Sequence, residues 1–117
     1  MKLPITFAVL AAAAATPAMA TNGLQCRPTS RSGPVLDLVV GHGAGPVLVA
    51  ARLAGKPVTV AQGWIDSRYL WLDLVDASAS RYEAKLRAVF QPKLRGRPAL
   101  GTLVRAGRTY RIRCVEA

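Results

Sequence analysis

The 117-residue sequence is poor in the side chains that most often carry chemistry: it has one histidine, two cysteines and six acids. His42 is the only histidine, so any Ser-His-Asp or Cys-His relay must pass through it, and no GxSxG is present. A metal site needs more ligands than His42, and none stands at ligand spacing. Asp66, Asp73 and Asp76 are the one local group of acids, and two of them close strand-like runs, where Asp caps turns. A glycosidase needs two tuned carboxylates across a cleft, which this pattern does not supply. Gly41 to Gly45 lacks the helix and the Lys-Ser/Thr pair of a phosphate loop, and a strand-like run follows it. The expectation is a non-enzyme with no metal and no cofactor.

Helical patterning is also missing: no ten-residue window shows a 3.6-residue apolar period. No internal repeat and no low-complexity tract follow residue 20. The longest apolar run, Leu3 to Ala15, is too short to span roughly 30 Å of hydrocarbon. It follows Met1-Lys2 and precedes Ala18-Met19-Ala20, the small-x-small pattern a signal peptidase cuts after. The expected organisation is a cleaved secretory signal over 1–20 and one domain over 21–117, periplasmic or secreted, with no transmembrane segment left. Leu24 and the bulky, polar Gln25 just ahead of Cys26, where small residues would be expected, argue against a lipidated cysteine.

What is present is β patterning and positive charge. β-branched and aromatic runs recur every 8–12 residues with Gly or Pro between them, the signature of an antiparallel all-β domain. The expected strands are Leu24 to Pro28, Val35 to Val40, Val47 to Leu53, Val58 to Ile65, Tyr69 to Val75, Tyr82 to Phe90, Leu100 to Arg105 and Arg108 to Cys114. Pairing Val40 with Val47 would set Leu38 against Val49 and turn Val47, Val49, Ala51 and Leu53 inward. Tyr82, Ala84, Leu86, Ala88 and Phe90 form the cleanest inward alternation.

Cys26 and Cys114, the only cysteines, read as one disulfide in an exported chain. Their Cα atoms must then lie within about 7 Å. The first and last strands become neighbours, and a meander whose ends meet is a closed barrel, here of about eight strands. A flattened sandwich is the alternative.

Two surface features could carry function. Trp64, Tyr69 and Trp71 are either large core pieces or, if outward, a platform for a sugar ring or a partner's side chain. Trp64 shares parity with inward Val58 and Val60, while Leu70, Leu72 and Leu74 turn Trp71 outward; a bulge at Gln62-Gly63 would resolve the conflict. Residues 81–117 hold ten basic and two acidic residues. Lys85, Arg87, Arg95, Arg97, Arg111 and Arg113 are the candidate anion-binding set, facing an anionic envelope component or another exported protein. Export argues against nucleic acid as the partner.

The plan of leader, about a hundred residues, eight strands and one disulfide resembles the small periplasmic barrels that inhibit lysozymes or secreted proteases. Ser80-Arg81-Tyr82 is similar to a Ser-plus-Tyr stretch of the lysozyme inhibitors, although their Trp followed by Lys-Gly is absent. The resemblance implies a second function, inhibition of an exported hydrolase through a loop such as Gly41 to Pro46 or Asp76 to Arg81.

Overall fold

The computed structural model describes residues 21–42 and 45–117. The expected signal over 1–20, and Gly43 and Ala44 of the glycine turn, lie outside the described residues. The described chain is eight antiparallel strands, each paired with its sequence neighbours, and β1 pairs with β8 to close a barrel. They are β1 (Thr21–Pro28), β2 (Leu36–His42), β3 (Pro46–Leu53), β4 (Lys56–Ile65), β5 (Tyr69–Asp76), β6 (Tyr82–Phe90), β7 (Ala99–Arg105) and β8 (Arg108–Glu116).

Closure follows from the cysteines. Cys26 stands directly opposite Cys114 in the β1–β8 ladder, with Cα atoms 3.9 Å apart and the disulfide formed. The barrel, not the flattened sandwich, is the architecture.

Leucine fills the interior. Leu36, Leu38, Leu53, Leu70, Leu72, Leu74, Leu86, Leu103 and Ile112 are all at most 2 % exposed. Each such side chain contributes roughly 1.5–3 kcal/mol of burial. Large faces small across the ladders: Leu38 opposite Ala51, Leu74 opposite Ala84, Leu70 opposite Ala88. At those positions the pairing suits the close packing of a narrow barrel. At Gly101, opposite Ala88, β6 and β7 come so close that a Cβ would collide with the backbone of Arg87 and Ala88. Ala54-Gly55 and Ala106-Gly107 turn two hairpins with positive φ at both residues, the twist that suits tight hairpins.

Three bulges reset the side-chain parity. On β4 the register runs Val60↔Leu74 and then Gln62↔Asp73, so Ala61 is the extra residue, one position before the expected Gln62-Gly63. The bulge turns Trp64 outward and Gly63 and Ile65 inward. On β3, Ala50 pairs with Val39 but Leu48 with Val40, which leaves Val49 as the extra residue. Val47 and Val49 therefore face solvent, 56 % and 61 % exposed, against the inward expectation. A run apolar at both parities hides such a slip. On β6, Ala84 pairs with Leu74 and Tyr82 with Val75, so Glu83 is extra and Tyr82 is exposed, not inward.

The wall is least tightly zipped between β3 and β4, where pairing runs only from Leu53↔Lys56 to Ala51↔Val58. Beyond it, Leu48 packs across toward Gly63 and plugs the gap from inside.

Candidate functional site

The outer wall from β4 to β1 gathers the predicted side chains into rows, because outward residues opposite one another in successive ladders are neighbours. One row runs Trp64, Trp71, Arg87, Thr102, Arg111. A second, nearer the open end formed by residues 66–68 and 91–98, runs Tyr69, Val89, Leu100, Arg113, Arg27. A third runs Gln62, Asp73, Lys85, Val104, Thr109.

At the β4–β6 end of these rows the aromatics form a groove of 370 Å³, lined by Gln62, Trp64, Trp71, Asp73 and Arg87. Trp64 and Trp71 are 59 % and 43 % exposed, so both belong to the surface. Each is anchored. Trp64 Nε1 donates to Asp66 Oδ2 at 2.8 Å. Asp66 Oδ1 accepts from the backbone N–H groups of Tyr69 at 2.6 Å and Arg68 at 2.7 Å, closing the β4–β5 turn. Those donors, the Tyr69 amide first and the Trp64 indole next, hold the Asp66 carboxyl below its ordinary pKa. Trp71 stacks against Tyr69 at 5.1 Å and 47°, and the Arg87 guanidinium carbon lies 5.7 Å from its ring centre. Arg87 is fixed in turn: Nη1 donates to the carbonyls of Leu72 and Leu86, and Nη2 lies 3.2 Å from Asp73 Oδ1.

The structure thus gives Arg87 a different task from the other candidate cations: its charge is committed to Asp73 and it braces Trp71. Lys85, Arg111 and Arg113 are exposed on the strands, and Arg95 and Arg97 are exposed in the 91–98 loop at the open end. Arg97 also edges a cavity of 880 Å³ in the barrel mouth, lined within by Leu24, Val40, Ile65 and Phe90.

Two side chains of the face escaped sequence reasoning. Arg27 stands directly opposite Arg113, one step from the disulfide. Pairing Cys26 with Cys114 in an antiparallel ladder forces that neighbour, so the signal was present. Thr102, between Arg87 and Arg111, follows likewise from the Leu103–Tyr110 pairing of the closing hairpin. Arg27 donates to Gln25 Oε1 at 2.8 Å, and Gln25 donates to Asp37 at 2.9 Å. Among the described residues no acid lies within ion-pair distance of Arg27, Arg111 or Arg113. The result is a cationic seam of three arginines beside the disulfide. Among the described residues no three His, Cys, Asp or Glu side chains group as metal ligands, and no helix is long and apolar enough to cross a membrane.

No protein family, curated protein or solved structure matches the chain.

Proposed function

We propose that the protein is an exported, non-catalytic binding module that holds an anionic envelope component or acidic exported partner on the outer wall of β6–β8 and β1. One observation carries this reading: Arg27 and Arg113 face each other across the β1–β8 ladder, with Arg111 beside them and no described acid to neutralise the group. Like charges directly opposite destabilise a sheet, and a bound polyanion reverses that effect. Lys85 on β6 and Arg95 and Arg97 at the open end extend the positive surface, and the net charge of +10 steers anions toward it. The leader-like residues 1–20 and a disulfide closing nearly the whole domain both suit an oxidising compartment outside the cytoplasm.

The test is retention on an anionic resin and on an envelope fraction over a salt gradient. Changing Arg111 and Arg113 together to Ser should move elution to lower salt on both; unchanged elution contradicts the proposal.

A second reading, inhibition of an exported hydrolase, draws on the loop between β5 and β6. Asp76 accepts hydrogen bonds from the Ser78 and Ser80 hydroxyls and from the backbone N–H groups of Ser80 and Arg81, so an exposed loop is held in one shape. Pre-organised loops bind with less ordering cost. This reading requires one hydrolase recovered at one-to-one stoichiometry from periplasmic or culture fluid, inhibited on titration, and released by Asp76→Ala. Recovery of scattered weak binders alone would count against it.

A further inference from the structure

We infer that the groove between Trp64 and Trp71 seats a sugar ring of an acidic polysaccharide, whose acidic groups lie on Arg111, Arg113 and Arg27. This rests on the anionic-partner proposal and names that partner's chemistry.

The two tryptophans stand opposite each other on adjacent strands, both exposed, while Leu70, Leu72 and Leu74 of β5 are buried in the core. Exposed aromatic pairs mark contact surfaces. These are built in advance: the Asp66 carboxylate fixes the Trp64 indole, and Tyr69 and Arg87 flank Trp71. Rings held in place lose little freedom when a ligand arrives.

The polar lining then selects the ligand. Asp73 accepts, Arg87 donates, and Gln62 does both. A bare phosphate or carboxylate would meet the Asp73 charge, and Arg87 is already partnered by it at 3.2 Å. A pyranose ring suits the same lining. It offers an apolar C–H face to an indole and a rim of hydroxyls that donate and accept. A volume of 370 Å³ lies at the small end of ligand clefts, the scale of one ring and not of a folded partner.

The acidic groups have their own place. Along the Trp71–Arg87–Thr102–Arg111 row the arginine seam begins three strands from Trp71, about 14 Å at the usual strand spacing. A ring in the groove therefore sets neighbouring units of the same polymer over Thr102 and the arginines. A peptide of acidic residues alone would use the arginines but carries no ring to set against the two indole faces.

The experiment compares two polycarboxylates matched in charge and length, polygalacturonate and poly-L-glutamate, by calorimetry and by tryptophan fluorescence. The wild type should bind polygalacturonate about tenfold tighter. Trp71→Ala should remove that preference and leave polyglutamate affinity unchanged, and Trp71→Phe, which keeps a ring, should restore part of it. Arg111→Ser with Arg113→Ser should weaken both polymers. The inference is overturned if the two polymers bind equally, if Trp71→Ala leaves the preference intact, or if polyglutamate binding itself depends on Trp71. If the arginine changes weaken neither polymer, the anionic-partner proposal fails instead.

Discussion

The groove on β4–β6 and the seam on β8–β1 share one barrel wall and are held by opposite means. Around the groove, the charges are answered from within: Arg87 by Asp73 and two carbonyls, Asp66 by an indole and two backbone amides. At the seam, three arginines crowd together, and the bond between Cys26 and Cys114 ties their strands beside the β1–β8 ladder. The charged groups of the groove are partnered within the protein, so on the proposed reading it would discriminate by shape and hydrogen bonding. The seam has no described acid beside it, so on the proposed reading it would supply attraction and salt dependence. On the proposed reading, one wall would divide the work of selecting a partner from the work of attracting it.

The largest test of this contrast removes the covalent tie. The cysteines are separated by 88 residues, and a chain-entropy argument for so long a loop gives about 4–5 kcal/mol. Cys26→Ser with Cys114→Ser should lower the urea-unfolding free energy by a large part of that amount. A small loss would mean that the seam is held by its ladder and not by the disulfide.

Next in size is Gly101→Ala. A methyl group there meets the backbone of Arg87 and Ala88, so β6 and β7 must separate. A loss of about 1–3 kcal/mol is expected in denaturant titration. Because Arg87 moves with that backbone, the Trp71 fluorescence maximum should shift as well. A neutral substitution would show that the two strands have slack.

Reversing one charge sharpens the comparison directly. Arg113→Glu turns the like-charge pair with Arg27 into an opposite-charge pair. The variant should be more stable by roughly 0.2–1 kcal/mol at low salt, with the gain fading as salt rises. It should also bind polyanions more weakly. Stability rising while binding falls is the signature of a cationic pair kept for a ligand.

How much of this was legible in the sequence depends on where parity holds. From Ala84 to Ala88 alternation continues without interruption, and burial follows the pattern. The Leu103–Tyr110 pairing and the outward Arg111 and Arg113 were readable from the hairpin about Ala106-Gly107. Barrel closure was readable from the cysteine pair taken with the meander of eight strands. The Ala61 bulge announced itself as a conflict between Trp64 and Trp71, and only its position was off by one. The Val49 bulge gave no sign, since Val47, Leu48, Val49 and Ala50 are apolar at either parity. Arg27 was legible but lay one residue beyond where the disulfide inference stopped. The partnership of Arg87 with Asp73 required the β5–β6 register, which the Glu83 bulge keeps out of simple counting.

The smallest expected effect is a difference in pH response. Ser80's hydroxyl, then the Arg81 and Ser80 amides and Ser78, hold the Asp76 carboxyl at about 2, below its ordinary 3.8. Asp66 is lowered in the same direction. A carboxyl lowered on folding contributes stability that is full above its unfolded value and is lost as pH falls through the folded one. Melting temperature should therefore drop between about pH 4 and pH 2, and Asp76→Asn should flatten part of the drop. The arginine seam stays charged across that range and adds no step of its own.

The most direct test of the central claim is the salt dependence of binding to a polycarboxylate. Each cation that replaces a condensed counterion contributes roughly 0.7–0.9 to the slope of log K against log salt. If Arg111 and Arg113 hold the polymer, changing both to Ser should make the slope shallower by about 1.4–1.8. Trp71→Ala should weaken polygalacturonate binding with the slope unchanged. A double-arginine variant that keeps the wild-type slope would contradict the account.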